Sequence, residues 1–251
     1  MPVRNLNSQF FRGVATVTEK NMRIYYTKPP VIIYGLLLPL IMFIAFYLGR
    51  DIDFRFFFPG FLAMFLFFIA SSVGPLITPW EKRAGTYERL LSFPVSVNTI
   101  ILGDTAAGMI FAIVINLVVL AAGLIFLHYS LNVLLLTGGV LLGAFCFASL
   151  GVLLASPAAP NPSYIMMASS LIRFPLIFIS GILIPLEKLQ GTVRVLSYFS
   201  PISYLVDILN FSFGGHAQYP LIFDFAMLFA FSVVFIFLSN RFHKRNLMKG
   251  L

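Results

Sequence analysis

The sequence predicts an all-α integral membrane protein with six transmembrane helices, and three observations support this fold class. First, hydrophobic residues make up 59% of the 251 residues and charged residues only 10%, against about a quarter charged in soluble domains. Second, six apolar runs are long enough to cross a bilayer as helices, which takes about 20 residues. Third, none of these runs alternates as a barrel strand does, and a helix satisfies its own backbone in lipid.

The six runs carry almost no charge, although Pro39 interrupts the first, Arg173 lies within the fifth and Asp224 lies near the start of the sixth. In chain order they are Val31–Leu48, Phe56–Ile77, Thr105–Leu127, Leu131–Ala155, Tyr164–Leu186 and Tyr219–Ser239.

Basic residues predict the orientation of these helices. Twelve of the seventeen Lys and Arg lie in the N-terminal segment, the loop after the second run and the C-terminal tail. The positive-inside rule places these regions, and both termini, in the cytoplasm of a multi-pass protein of the plasma or inner membrane. We expect one domain over residues 1–251, made of a cytoplasmic segment (1–30), six helices (31–240) and a basic tail (241–251). Topology and anionic headgroups account for the net charge of +8, so no nucleic-acid partner is expected.

Two segments outside the runs are predicted to be helical without spanning. Phe10–Tyr26 has apolar residues at helical spacing, including Phe11, Val14 and Met22, which predicts an amphipathic helix on the inner membrane surface. Glu187–Gly214, here called the outer segment, is too polar to span and too apolar for a free loop. We expect it to be re-entrant or interfacial, packed against protein and divided into two short helices at Pro201.

Familiar catalytic and metal-binding patterns are absent from the sequence. It has no GxxxxGK[ST] phosphate loop, no GxSxG elbow and no His or Cys spacing typical of a metal site. Cys146 is the single cysteine, so an internal disulfide is excluded. We therefore predict no catalytic residue, no metal and no cofactor for this chain.

The most charged stretch between the first and last runs is Trp80–Ser96, which reads WEKRAGTYERLLSFPVS. Pro79 should end the second helix, and Gly85 permits a turn. Thr86 can then cap a short helix that Pro94 would end. Such a helix has one apolar face and one face with both signs of charge, which suits docking to a soluble partner. The alternative is an ordinary solvated loop that obeys the positive-inside rule.

This stretch resembles the loop between helices two and three of type-2 ABC-transporter permeases, which typically reads E-[RK]-[ER]-x-G-T-x-E-x-L-L-x-x-P-V-S. Downstream, SGILIPLE at Ser180–Glu187 is similar to the family's S-G-x-x-x-P-x-E. SPISY at Ser200–Tyr204, followed by Asp207, is similar to its N-P-x-T-Y-x-x-D. The resemblance covers nearly the whole chain. Arg173 within the fifth run departs from the family's pattern.

The resemblance implies an export mechanism that uses partners. A permease of this kind is half of a membrane domain, pairs with a second copy and docks a separately encoded cytoplasmic ATPase that binds ATP and Mg. Closure of the ATPases would move the spans and open an outward path for a drug, lipid or polysaccharide. The residues implied in ATPase coupling are Glu81, Lys82, Arg83, Gly85, Thr86, Glu88 and Arg89.

Several polar positions have two readings. Arg173 and Asn116 are candidates for the substrate path. A charge such as that of Arg173 costs about 2.5–3.5 kcal/mol at mid-membrane on insertion scales, and such residues often mark a functional site. For Arg173 the functional interpretation is contact with an anionic headgroup of the substrate, or a switchable pair with Asp104 or Asp207. The alternative is a structural pair, or a span shifted so that Arg173 reaches an interface. Pro201, Tyr204 and Asp207 are expected to stabilise the outer segment. The Gly139–Gly143 GxxxG pattern indicates close helix contact, within the bundle in preference to a dimer interface.

The alternative function is a self-sufficient secondary carrier or a membrane-embedded assembly factor. A carrier should have inverted repeats, or broken spans with buried carboxylates. The sequence displays neither feature, which favours the permease.

Overall fold

The computed structural model describes residues 6–48, 54–93, 95–126, 131–157 and 162–248, and these residues form helices and turns without a strand. A π-helical turn at Ile33–Leu37 joins α2 to α3, and a 3-10 turn at Leu186–Lys188 precedes α9. The α-helices are α1 (Leu6–Ile24), α2 (Pro29–Ile32), α3 (Leu38–Tyr47), α4 (Phe54–Arg83), α5 (Thr86–Ser92), α6 (Val97–Phe126), α7 (Val133–Leu154), α8 (Pro162–Phe178), α9 (Gly191–Ser197), α10 (Pro201–Ser212) and α11 (Leu221–Met248).

Within the described ranges, five helices are long and apolar enough to cross a membrane. They are Pro29–Tyr47 (the first span, made of α2, the π turn and α3), Phe57–Arg83, Val97–Ile125, Val133–Leu154 and Leu221–Asn246. The chain is therefore an all-helical, multi-pass membrane protein. The fifth predicted run corresponds to α8, which is shorter and ends at Phe178, eight residues before the run does. The backbone then turns at Gly181, whose φ of 85° favours glycine.

The predicted end of the second helix is wrong, because α4 continues through Pro79 to Arg83. Proline removes one backbone hydrogen bond, but close packing on every side can hold a helix through it. Residues 58–79 of α4 are all buried, and the helix is enclosed by the first span, α6, α7, α8 and α10. The third helix, α6, begins at Val97, eight residues before the third apolar run does, and its added turns pack on α1.

The central contact joins α4 to α7. At Gly74 and Gly151 the two helices meet backbone to backbone, and a Cβ on Gly151 would lie 2.9 Å from the carbonyl oxygen of Ser71. Around this crossing the core is largely aromatic and aliphatic, and the Phe67 and Phe147 rings meet edge to face at 5.1 Å between centroids. Small residues permit this approach, as is usual between membrane helices.

The N-terminal helix α1 packs on protein along one face. Val17 and Asn21 are buried against α6, and the Thr18 hydroxyl donates to the Gly103 carbonyl at 3.1 Å. Phe11, expected on the apolar face, is 71% exposed. The predicted helix is present. Its buried side includes Val17 and Asn21, followed by Tyr25 just after the helix, which was expected on the apolar face; the i, i+4, i+8 spacing puts these three on one side.

The outer segment forms two helices as predicted, and α10 begins at Pro201. Pro201 to Leu209 are all buried, with α10 packed against α4, α7 and α11. Cβ positions on Gly139 and Gly143 would contact Leu205, and Gly139 also faces Ile208. The GxxxG pattern of α7 therefore accommodates α10 within the bundle.

Candidate functional site

A short helix, α5, follows the end of α4 where the coupling helix was predicted. Gly85 lies between the two helices with φ 65°, a left-handed conformation that suits glycine. Thr86 was expected to cap this helix, but Gly85 occupies the cap position and Thr86 is the first helical residue. The Thr86 hydroxyl instead donates to the Glu81 carbonyl at 3.2 Å. Pro94, expected to end the helix, lies outside the described residues.

The structure divides the seven predicted coupling residues into two groups. Arg83, Glu88 and Arg89 are exposed, so they form the charged surface of this region. Lys82 is half-buried with its ammonium 5.8 Å from the centre of the Tyr87 ring. Glu81 is only 1% exposed and points into the protein. Gly85 and Thr86 shape the turn.

Glu81 belongs to a buried polar cluster that joins α1, α4 and α6, here called the cytoplasmic junction after its predicted orientation. Its carboxylate forms an ion pair with Lys20 and accepts a hydrogen bond from the Tyr25 hydroxyl at 3.3 Å. Beside it, the Asn21 side-chain amide donates to Asp104 at 2.6 Å. The junction consists of Lys20, Asn21, Tyr25, Glu81 and Asp104. The sequence analysis named only Glu81 as part of such a site. It missed Lys20 and Asn21 of α1 and Tyr25 just after it, whose sequence spacing is i, i+1, i+5.

Aromatic side chains lie in and beside this junction. Tyr25 stacks on Trp80 at 5.9 Å between ring centroids, and the Lys28 ammonium lies 4.6 Å from the centre of the Trp80 ring. Tyr87 of α5 is buried. Burial, together with the Asp104 and Glu81 carboxylates, raises the pKa of Tyr87 to about 12. Burial, and then Glu81, raises the pKa of Tyr25 well above its ordinary value. Both phenols therefore stay protonated near neutral pH and can donate hydrogen bonds to carboxylates.

Arg173 lies on α8 and is 2% exposed. Its Nη1 donates to the Ser72 hydroxyl of α4 at 3.0 Å, and its Nε to the Ser169 carbonyl at 3.3 Å. Tyr34 of the π-helical turn lies near enough to act on it electrostatically. Among the described residues no acidic side chain pairs with it. In this structure Arg173 pairs with neither Asp104 nor Asp207, because those carboxylates bond elsewhere.

Asn116 is buried, and its side-chain amide donates to the Leu62 carbonyl at 2.9 Å. This bond ties α6 to α4. A role of Asn116 in the substrate path stays a prediction.

The three outer residues named from the sequence hold the outer segment together. Pro201 opens α10, and the buried Tyr204 donates its hydroxyl to the Tyr198 carbonyl at 2.8 Å. Asp207 accepts hydrogen bonds from the backbone N–H groups of Gln218 and Tyr219 at 2.8–2.9 Å. The neighbouring carboxyl of Asp224, within hydrogen-bonding reach, was not foreseen, since nothing in the spacing of 17 residues predicts the pairing.

Helices long enough to cross a membrane, with a short charged helix after α4, are the arrangement that the permease resemblance predicts. Residues 12–213, which include α5 and α10, match the family described as ABC-2 type transporter. The chain belongs to this family, and the resemblance drawn from its motifs is confirmed.

Named relatives agree with this assignment. The chain is 28% identical over 171 residues to nodulation protein J of Rhizobium leguminosarum bv. trifolii, covering 65% of this chain and 63% of that protein. It is 26% identical over 148 residues to the inner membrane transport permease YadH of Escherichia coli K12, covering 59% of this chain and 58% of that protein. The matches thus span about three-fifths of the length of these relatives.

Proposed function

We propose that this chain is the transmembrane subunit of an ABC exporter and receives the work of ATP hydrolysis through α5. The observation that supports this most strongly is the attachment of α5. Its exposed Glu88 and Arg89 stand on a helix whose buried Tyr87 faces the cytoplasmic junction. Because the junction joins α1, α4 and α6, a displacement of α5 would be transmitted to all three helices.

In this proposal the membrane domain has six helices per subunit, with α8 as the fifth, and both termini in the cytoplasm. A second copy of the chain completes the translocation path. The ATP and Mg belong to a separate cytoplasmic ATPase docked on α5, while the chain itself binds no cofactor and catalyses no reaction. The shared family supports this arrangement, as does the mixed charge of α5.

Arg173 is the proposed substrate contact. Its guanidinium has five N–H groups, and two of them have protein acceptors, Ser72 and Ser169. A buried cation without an acidic partner favours an anionic group of the substrate during transport.

A secondary carrier is the competing function, because the structure contains buried carboxyls that the sequence did not make evident. Asp104, Asp207 and Asp224 are all buried, and carriers use such groups to bind protons or ions. Dependence of transport on an ATPase separates the two functions.

The test is co-expression of the chain with ABC ATPases from the same genome, followed by co-purification and measurement of ATP hydrolysis. We expect a stable complex that Glu88→Lys and Arg89→Glu each disrupt. Glu187→Lys is the matched control, because Glu187 is equally exposed but lies in the outer segment. If none of the ATPases forms a complex, or if the charge reversals on α5 leave a complex unchanged, the proposal is rejected.

A further inference from the structure

Two carboxyl groups meet where the outer segment joins the last helix. Asp207 of α10 is 1% exposed, and Asp224 in the first turn of α11 is 0% exposed. Each lies within hydrogen-bonding reach of the other. Neither residue takes part in the coupling or substrate contacts proposed above.

The two carboxyls have unequal surroundings. Both oxygens of Asp207 accept backbone N–H groups, from Gln218 at 2.8 and 2.9 Å and from Tyr219 at 2.8 Å. Neither oxygen of Asp224 has an N–H or O–H donor, although the residue stands in the first turn of a helix, where free N–H groups are available. The surroundings of Asp207 therefore stabilise an ionised carboxylate, whereas those of Asp224 do not.

Two ionised carboxylates in buried contact repel each other strongly, and one of them keeps a proton. That proton belongs to the pair. It resides mainly on Asp224, because the N–H groups at Asp207 stabilise negative charge there. A protonated Asp224 donates to Asp207, which supplies its missing hydrogen bond.

We propose that Asp207 and Asp224 form a proton-binding carboxyl pair that fastens α10 of the outer segment to α11. The ligand is a single proton, held between the two side chains. Its loss would leave two adjacent negative charges and would push α10 away from α11.

Among the described residues, no basic side chain forms an ion pair with Asp207 or Asp224. The titratable side chains near it are Glu187, which adds negative charge, the phenols of Tyr198, Tyr204 and Tyr219, and Arg194, which lies close to Tyr219. Burial raises the pKa of Tyr204 to about 12, so this phenol is uncharged near neutral pH. Among the described side chains, α7 carries no acidic or basic residue, and the described charges of α4 lie at its other end. Burial also raises the pKa of Asp207, against the lowering effect of its backbone hydrogen bonds.

The experiment is infrared spectroscopy of the purified full-length chain in lipid nanodiscs, titrated across pH in H₂O and D₂O. We expect a C=O stretch of a protonated carboxylic acid at neutral pH, and we expect Asp224→Asn to lose it. Asn at this position still donates to Asp207 and keeps the fold. Asp104→Asn is the matched control, because Asp104 is a buried carboxyl outside the pair and its removal should leave the band of the pair in place.

A second measurement is the unfolding midpoint as a function of pH. The folded pair holds a proton that the unfolded chain releases at neutral pH, so stability should fall as pH rises. Asp224→Asn should flatten this dependence. If Asp224→Asn removes no protonated-acid band, both carboxyls are ionised and the proposal is wrong. If the band disappears but the pH dependence does not change, the pair binds a proton without fastening α10, and that part is overturned.

Discussion

Lys20 of α1 and Glu81 near the C-terminal end of α4 form an ion pair between residues 61 positions apart in sequence. Glu81 is buried, whereas Lys20 keeps about a quarter of its side chain exposed. The pair therefore connects the protein surface to the end of the central helix. Removing one partner of a buried pair costs more than the pair contributes, because the other charge is left without compensation.

Lys20→Ala should destabilise the junction by about 2 kcal/mol, since a hydrogen bond to a buried charge is lost. Trp80 is the single tryptophan of the chain and stacks on Tyr25 within this region, so its fluorescence reports the change directly. Arg23→Ala is the control, because Arg23 is exposed on the same helix. The double reversal Lys20→Glu with Glu81→Lys should restore part of the loss. If Lys20→Ala and wild type have equal fluorescence spectra and equal unfolding midpoints, the Lys20–Glu81 pair does not stabilise the junction.

The helical fold and the position of α5 were predictable because they depend on local signals. Long apolar runs predict spans, and Gly85 with the charged stretch after it predicts the turn and short helix. The junction was not predictable in the same way. Lys20, Glu81 and Asp104 come from three helices, and only their packing brings them together. Pro79 was misread for the same reason, since burial of α4 on all sides outweighs the local preference of proline.

Gly151→Ala should be strongly destabilising, by about 3 kcal/mol, because its new Cβ would press on the Ser71 backbone of α4, which cannot move aside. The matched control on the same helix is Gly138→Ala. Its Cβ would meet only the Phe225 ring, at 3.4 Å and beyond, so a helix-favouring substitution should be tolerated there. Unfolding midpoints in nanodiscs compare the two. Similar midpoints for both variants would show that the α4–α7 contact is loose.

Tyr87→Ala should distinguish docking of the ATPase on α5 from transmission of its movement to the membrane helices. It removes the buried side chain that faces the junction but leaves Glu88 and Arg89 in place, so the ATPase should still bind while substrate-stimulated hydrolysis falls. Loss of a buried aromatic ring costs about 3–5 kcal/mol, and here that loss would weaken the packing of α5 against the rest of the protein. Tyr87→Phe keeps the ring and is the control. Both variants are measured by co-purification and by ATP hydrolysis in the same preparation. Full stimulation in Tyr87→Ala would mean that force passes from α5 by another route.

Arg173→Met should leave the protein at least as stable as wild type and yet reduce transport. Methionine fills similar space without the desolvation of a buried charge, which costs about 2.5–3.5 kcal/mol on insertion scales. Arg173→Lys keeps the charge but loses the planar fork of N–H groups, and we expect an intermediate activity. The measurement is ATP hydrolysis of the reconstituted complex with amphiphiles matched in tail and differing in headgroup charge. Anionic headgroups should stimulate wild type and not Arg173→Met. If the Met variant is both less stable and equally stimulated, Arg173 serves packing between α8 and Ser72 of α4, and the anionic substrate contact is rejected.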